Sequence, residues 1–288
     1  MSVLAYETDE EKIRSGCLAH GLQLRHFCPQ DAARPGASTP QTGASPQWFV
    51  AAADRGGELY VVFRGTKGIA DWFRDACVNP ERHGADQFHS GFLSAVRDDA
   101  VLREVLRREL RDDASLFACG HSLGGALAMT LLSADGLLPP TFTGSRTAVA
   151  LGSPAVAHGQ IARRCRTILV VQDADPVPRL LGASMDITRG LFPVGSEFLE
   201  SMSQYRHPPE LEMVYLTRGN AYVVPAAKQK AVLNLHEALG PTTLFTGAFV
   251  GAWNRDHDQD AYAEAIASAT KNRTAVPGIP VVPGVPVR

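Results

Sequence analysis

The sequence lacks several features that mark specialised classes of protein. Its 28 basic and 30 acidic residues leave a formal net charge of only −2. A protein that binds nucleic acid usually carries a basic excess, so we expect no nucleic-acid partner. No apolar run reaches the ~18 residues that a membrane-spanning helix needs, so we also expect no transmembrane segment.

Cysteine is scarce and follows no ligand pattern. The five cysteines, at positions 17, 28, 77, 119 and 165, form an odd number and contain no C-x-x-C pair. This predicts reduced thiols rather than a disulfide framework or a zinc site, with a Cys17–Cys28 pair as the alternative. The first residues, MSVLAYETDEEKIRSG, have no basic n-region, apolar h-region or small-residue cleavage site. We therefore expect a cytoplasmic location, or export without a Sec-type signal peptide.

What the chain does have is enough apolar sequence for one large core. It contains 288 residues, of which 45% are hydrophobic, and an α/β fold of this size can form one domain. We assign residues 1–273 to a single domain. Residues 274–288 repeat the pattern P-G-x-P, which suits neither a helix nor a central strand, and we assign them to a Pro/Gly-rich tail.

Apolar runs typical of strands alternate with helical patterns. A D-x-G-G turn separates WFVAAA from ELYVVFRGT and predicts a hairpin. Further strands are predicted at SLFACG, RTAVAL and RTILVVQ, and a late antiparallel pair at ELEMVYLT and AYVVP. Helices are predicted over 9–25, 90–111, 123–134 and 258–271. This order indicates an α/β fold with a mostly parallel central sheet flanked by helices.

The strongest chemical signal is the segment Gly120-His121-Ser122-Leu123-Gly124. It follows a predicted buried strand and opens a predicted helix, which is the context of a nucleophile elbow. A serine on so sharp a turn takes a strained backbone conformation, and side chains two residues to either side would collide with the turn. The following helix directs its positive N-terminal end at the site. Ser122 is therefore the candidate nucleophile.

A serine hydroxyl needs a base within hydrogen-bond reach and an acid that orients the base. In an α/β-hydrolase the chain order is serine, acid, histidine. Asp173 and Asp175 both follow the strand TILVVQ, and Asp175 precedes Pro176-Val177-Pro178, which stiffens its loop. Both aspartates are candidates on this reasoning alone.

Three histidines follow these aspartates in the chain. His257 lies in a polar loop just before the last predicted helix, a position from which an imidazole can reach across to the serine. His207 precedes two prolines, and His236 lies in a helix-like apolar run. Their positions alone rank them His257, His207, His236.

Taken in order, the motifs resemble those of the class 3 lipase family, the fungal-type triacylglycerol lipases. The matching segments are VVFRGT at 61–66, FHSGFLSAV at 88–96, GHSLGGALA at 120–128, LGSPAV at 151–156, VVQDADPVPRL at 170–180 and YRHPPELEMVYL at 205–216. The resemblance spans roughly residues 47–270. It implies the α/β-hydrolase fold and a serine ester hydrolase that uses no metal and no cofactor.

The resemblance also implies a role for individual residues. Ser122 matches the nucleophile, and Asp175 matches the acid of the D-x-V-P motif, whereas Asp173 falls at a non-catalytic position. His257, five residues before Tyr262, resembles the catalytic histidine of an H-x4-Y ending. His207 matches a histidine that is structural in the family, and His89 matches the histidine that precedes G-F.

Two further features follow from the same match. Thr66 matches the residue that supplies an N–H and a hydroxyl to the oxyanion hole, with the N–H of Leu123 as the second donor. The segment 67–76 matches a short helical lid, in which Ile69, Trp72 and Phe73 are apolar. These side chains would pack over the pocket in water and bury in lipid at an interface.

The resemblance implies a triacylglycerol lipase whose partner is a lipid or ester substrate, with transient contact at a lipid interface. A phospholipase A1 and a short-chain esterase are the enzymatic alternatives. A catalytically silent α/β-hydrolase used as a binding module is the non-enzymatic one. The chain departs from the family after Arg179, where Leu180-Leu181 replaces the usual proline. The unusual stretch that runs on to Ser203 directly follows the acid loop, which makes it a candidate cover for the acyl pocket.

Overall fold

The computed structural model describes residues 1–30, 46–53, 57–65, 79–159, 161–172, 175–180, 204–208, 210–217, 220–233 and 257–271. The tail at 274–288 and the stretch 181–203 lie outside these residues, so their predicted roles stay predictions. So does the assignment of 1–273 to one domain.

The twelve strands of the described residues are β1 (Leu22–Cys28), β2 (Trp48–Ala53), β3 (Glu58–Phe63), β4 (Pro80–His83), β5 (Asp86–His89), β6 (Ser115–His121), β7 (Arg146–Leu151), β8 (Ala157–His158), β9 (Arg166–Gln172), β10 (Tyr205–Arg206), β11 (Glu212–Thr217) and β12 (Asn220–Val224). After a 3-10 turn at Leu4–Tyr6, the helices are α1 (Glu10–Ala19), α2 (Ser90–Arg97), α3 (Ala100–Glu109), α4 (Leu123–Ser133), α5 (Val177–Leu180), α6 (Ala226–Val232) and α7 (Gln259–Lys271).

Eight strands form the central sheet in the order β1-β2-β3-β6-β7-β9-β11-β12. The run from β3 to β11 is parallel, while β1, β2 and β12 pair antiparallel at the two sides. The predicted fold class and the predicted β2–β3 and β11–β12 pairs are confirmed. The carboxyl ends of the parallel strands share one edge of the sheet, where an open α/β sheet places its functional loops.

Helices cover both faces of this sheet, because successive side chains of a strand point to opposite faces and both faces carry apolar residues. Val61 and Phe63 of β3 belong to one buried cluster with the apolar sides of α2, α3 and α4. Val62 points to the other face and packs with α1, and α7 covers that same face beside β7, β9 and β11. Helix α4 is buried along its length, which explains why it is rich in small residues. It therefore packs as an apolar helix directly behind the elbow.

The helix predicted over 9–25 is wrong beyond Ala19. Gly21 takes a φ of +70° and ends the helix, as a glycine just past a helix C-terminus commonly does. The chain then forms β1, in which Leu22 and Leu24 are buried and alternate with exposed neighbours. The apolar residues fit a helical spacing by coincidence, and the period of two that follows Gly21 was the better indicator.

The helix predicted over 90–111 is two helices, because an acidic cap interrupts it. Asp99 accepts a hydrogen bond from the N–H of Leu102 at 2.9 Å and begins α3. Its other oxygen accepts from the indole N–H of Trp48 at 2.8 Å. A small antiparallel sheet, in the order β10-β8-β5-β4, was not predicted at all.

Two other observations bear on the sequence predictions. Cys17, Cys119 and Cys165 are free thiols, so the alternative disulfide between Cys17 and Cys28 does not form. Within the described ranges, no helix is long and apolar enough to cross a membrane.

Candidate active site

Ser122 occupies the sharp turn between β6 and α4. Its backbone has φ 58° and ψ −126°, a region that costs a non-glycine residue about 1–3 kcal/mol. The surrounding structure holds this conformation, since the N–H of Ser122 donates to the carbonyl of Leu151 at 2.8 Å and its carbonyl accepts from Gly125 at 3.0 Å. The elbow therefore presents the serine at the carboxyl edge of the sheet.

The glycines on either side of Ser122 are required by close backbone contacts. A Cβ on Gly120 would lie 2.3 Å from the carbonyl carbon of Gly124, and a Cβ on Gly124 would lie 2.4 Å from the carbonyl oxygen of Phe63. Both distances are far below van der Waals contact. The collision expected from the G-x-S-x-G spacing is thus present in the structure.

The structure brings Ser122, His257 and Asp175 together in one hydrogen-bonded line. The Nε2 atom of His257 lies 2.9 Å from Oγ of Ser122. Its Nδ1 atom lies 3.0 Å from each carboxylate oxygen of Asp175. Ser122 and Asp175 are 0% exposed and His257 is 6% exposed, so the line is shielded from bulk water. A base is therefore in reach of the serine hydroxyl, and an acid orients the base.

Asp175 is fixed by donors from three directions. Its Oδ1 accepts from the N–H of Val177 at 2.9 Å, and its Oδ2 accepts from the hydroxyl of Tyr262 at 2.6 Å. The guanidinium of Arg179 donates to its main-chain carbonyl. These bonds hold the side chain and the main chain of Asp175 in place, so its carboxylate stays in register with Nδ1 of His257.

Tyr262 ties the last helix to the acid loop. Its hydroxyl also accepts from the N–H of Gln172 at 3.0 Å. Burial, and then the Asp175 carboxylate, raise the pKa of Tyr262 well above its usual value of 10, so the hydroxyl keeps its proton as a donor. A Cβ on Gly152 would lie 2.6 Å from Oδ2 of Asp175, so this contact depends on a glycine. In the sequence, Tyr262 stands out only as the end of the H-x4-Y motif.

Removing the Tyr262 hydroxyl should therefore weaken the site while keeping the fold. We expect Tyr262→Phe to lower kcat by about tenfold, the equivalent of one charge-assisted hydrogen bond of about 1.5 kcal/mol, with KM unchanged. Steady-state kinetics on a soluble ester would measure both. Tyr60→Phe is the matched control, since the Tyr60 hydroxyl donates to the carboxylate of Glu58 and not to that of Asp175. A kcat for Tyr262→Phe equal to that of the control would contradict the role.

Leu123 is the first residue of α4, and N–H groups in a first helical turn have no acceptor within the helix. Its position therefore suits the predicted oxyanion donor. Gly65, the last described residue before Thr66, lies close enough to the nucleophile that a Cβ on it would be 3.2 Å from Cβ of Ser122. Thr66 itself lies outside the described residues, as do Ile69, Trp72, Phe73, Asp173 and His236, and their predicted roles stay predictions.

The two histidines that the resemblance treats apart from the triad lie outside the hydrogen-bonded line. His207 donates through Nε2 to the carbonyl of Pro178 at 3.0 Å, which buttresses the loop after Asp175. His89 packs its ring against Phe92, with centroids 4.2 Å apart, and it is fully buried.

These buried histidines predict acid sensitivity of the fold. Burial lowers the pKa of His89 to about 3 and that of His207 to about 4. Below pH 6.5 these histidines bind protons in the unfolded chain but not in the folded chain. The free energy of unfolding should therefore be highest above pH 6.5 and fall as the pH drops toward 4. Each histidine contributes about 1.4 kcal/mol per pH unit in that window. Urea unfolding at pH 7.5, 6.0 and 5.0 would measure the loss, and equal free energies of unfolding at the three values would contradict it.

Comparison with known proteins gives one family match. The model of the lipase (class 3) family matches residues 60–185, a range that contains Ser122 and Asp175. A comparison with curated proteins finds no match.

Among solved structures, a deletion mutant of the Rhizomucor miehei lipase propeptide complex is similar with a TM-score of 0.53 at 17% identity, over 85% of this chain and 76% of that chain. The Rhizomucor miehei triacylglyceride lipase is similar with a TM-score of 0.50 at 17% identity, over 86% of this chain and 93% of that chain. At such low identity these likenesses establish the α/β-hydrolase fold and no more.

Proposed function

We propose that this chain is a carboxylic ester hydrolase of the class 3 lipase family, whose model matches residues 60–185, and that it hydrolyses triacylglycerols through a Ser–His–Asp triad and an acyl-enzyme intermediate. The observation that carries the proposal is the buried line from Oγ of Ser122 through the ring of His257 to the carboxylate of Asp175. In that arrangement a hydroxyl, a base and an orienting acid are already within hydrogen-bond distance.

In the proposed acylation step, Oγ of Ser122 attacks the ester carbonyl carbon while Nε2 of His257 takes its proton. The tetrahedral intermediate then expels the alcohol as the C–O bond breaks, and the same Nε2 returns the proton to the leaving oxygen. Asp175 accepts a hydrogen bond from the Nδ1–H, which keeps the lone pair of Nε2 directed at the serine. The products of this step are the acyl-enzyme and a free alcohol, which is a diacylglycerol for a triacylglycerol substrate.

In the deacylation step, water replaces the serine as nucleophile. His257 takes a proton from the water, the hydroxide adds to the acyl carbon, and the bond to Oγ breaks as the serine recovers its proton. Both tetrahedral intermediates carry negative charge on the former carbonyl oxygen. The N–H of Leu123 and the predicted donor Thr66 would stabilise that charge, each donor contributing on the order of 10²–10³ in rate.

A substrate panel tests the proposed specificity. An emulsified triacylglycerol, a phosphatidylcholine dispersion and a soluble p-nitrophenyl ester would be offered to the wild type and to Ser122→Ala as the blank. The highest turnover on triacylglycerol supports the proposal. A preference for phosphatidylcholine would replace it with a phospholipase A1, and turnover of the soluble ester alone would replace it with an esterase. No turnover and no labelling by a fluorophosphonate would indicate a binding module.

The contact with a lipid interface is proposed from the sequence of the segment 67–76. Apolar side chains that leave water for lipid gain about 25 cal/mol per Å² of buried apolar area, which would favour an open site at an interface. We expect Trp72→Ala to reduce turnover of emulsified long-chain triacylglycerol several-fold more than turnover of a soluble short-chain ester. Rates measured below and above the solubility limit of one substrate test this. An equal loss on both substrates, without a jump in the wild-type rate at the limit, would contradict it.

A further inference from the structure

The N-terminal segment reaches the nucleophile elbow. Tyr6, at the end of the first 3-10 turn, places its hydroxyl oxygen 2.9 Å from Nδ1 of His121. His121 is the residue before Ser122, at a position where the G-x-S-x-G pattern leaves the residue type free. Elbow geometry therefore does not explain why a histidine lies there, and its bond to Tyr6 offers a reason.

The same hydroxyl also lies against the chain that leaves β3. A Cβ on Gly65 would lie 2.4 Å from the Tyr6 hydroxyl oxygen and 2.5 Å from the carbonyl oxygen of His121. Gly65 has no side chain, so its backbone can lie against both groups and beside Ser122. The residue after Gly65 is Thr66, the predicted oxyanion donor. One hydroxyl thus lies against two segments of the proposed reaction centre, the elbow and the chain that leaves β3.

The segment that carries Tyr6 is itself fastened to the exit of β3. Gln47, which is buried, donates through Nε2 to the main-chain carbonyls of Ala5 at 2.6 Å and Glu7 at 2.5 Å. The main-chain carbonyl of Gln47 accepts from the main-chain N–H of Arg64 at 2.9 Å. The Arg64 guanidinium lies 5.5 Å from the centroid of the Tyr6 ring. Tyr6 is therefore held on both sides in sequence, so its hydroxyl occupies a defined place.

The surroundings of this bond favour the neutral forms of both Tyr6 and His121. Burial raises the pKa of Tyr6 above its usual range, with the Arg64 cation acting in the opposite sense, so the hydroxyl keeps its proton. Burial, and then the neighbouring His257, lower the pKa of His121 well below its usual value. The His121 and His257 rings are 4.7 Å apart. A neutral His121 suits this position, because a second positive charge so close would oppose the imidazolium that forms on His257 during the reaction.

We infer that Tyr6 is a positioning residue for the proposed hydrolysis: its hydroxyl, which lies against the backbone of Gly65, fixes the ring of His121 behind His257. The inference rests on the proposed function, since it assigns Tyr6 to the same site. The N-terminal segment is then part of the active site, although most of the first half of the chain separates Tyr6 from Ser122.

The test is the substitution Tyr6→Phe, which removes the hydroxyl and keeps the ring. Tyr60→Phe is the control at a site remote from the elbow. Turnover of a soluble p-nitrophenyl ester is divided by the number of sites titrated with a fluorophosphonate, so that misfolded protein does not count. We expect kcat per titrated site to fall about tenfold in Tyr6→Phe, with KM and Tm close to those of the control.

A double-mutant cycle separates positioning from a structural role. If Tyr6 acts through His121, the Tyr6→Phe, His121→Gln pair should lose little more kcat than His121→Gln alone. Multiplicative losses, or a wild-type kcat in Tyr6→Phe, would overturn the inference while leaving the proposed function in place. Wild-type protein that neither turns over ester nor is labelled at Ser122 would overturn the proposed function and, with it, the role of Tyr6.

Discussion

Replacing Ser122 with alanine is expected to lower kcat for ester hydrolysis by at least about 10⁴-fold, the scale seen when a serine nucleophile is removed from a triad. No acyl-enzyme can form without Oγ. The fold should be unaffected, because the bonds that hold the elbow use the main chain of Ser122 and alanine meets the same backbone strain as serine. Initial rates on a soluble ester, with a thermal melt, would measure both.

The control for this substitution is Ser153→Ala. Ser153 is also buried, and its hydroxyl bonds to the carbonyl of Pro154 at 3.2 Å. It packs close to the elbow, since a Cβ on Gly125 would lie 2.8 Å from Cβ of Ser153. We expect this variant to keep most of the activity. Residual turnover of Ser122→Ala within tenfold of the wild type would reject Ser122 as nucleophile.

The second large effect concerns the base and the acid. We expect His257→Ala to cost about as much kcat as Ser122→Ala, and Asp175→Asn to cost about 10⁴-fold. An asparagine at position 175 keeps the shape of the acid but presents an amide to Nδ1, which favours the tautomer with the proton on Nε2. That proton would face the serine in place of the lone pair that should accept from it.

Non-additivity is part of the same expectation, because residues that act as one unit fail together. The double variant Ser122→Ala, His257→Ala should be little slower than either single variant. Asp173→Asn and His236→Ala serve as controls and should cost far less. A mild effect of His257→Ala alongside a near-complete loss in His236→Ala would move the base to another histidine.

Much of the candidate site could be predicted because its signals are local in sequence. A strand, a sharp glycine-flanked turn and a helix identify Ser122 from a few neighbouring residues. Two prolines that stiffen a loop after a strand favour Asp175, and a loop at a helix start favours His257. The parallel order of β6 and β9 then places the first two at one sheet edge. Local rules and topology together were sufficient for Ser122 and ranked His257 first among the histidines, whereas the choice of Asp175 over Asp173 came from the family resemblance.

The parts that could not be predicted depend on contacts between distant segments. Nothing near Tyr6 in the sequence indicates a bond to His121, because that bond exists only once the 3-10 turn has packed against the exit of β3. The bond from Tyr262 to Asp175 is of the same kind. The strands of the small second sheet contain two to four residues each, too few to show a period of two.

Mass spectrometry after treatment with a fluorophosphonate tests most directly whether Ser122 is an activated nucleophile. The reagent forms a stable bond to a serine oxygen only when a neighbouring base activates it, and the intact mass then rises by one adduct. We expect a single adduct that maps to the peptide containing Ser122, is absent from Ser122→Ala and forms far more slowly in His257→Ala. A protein that hydrolyses esters but carries no adduct, or carries it on a different serine, would contradict the assignment.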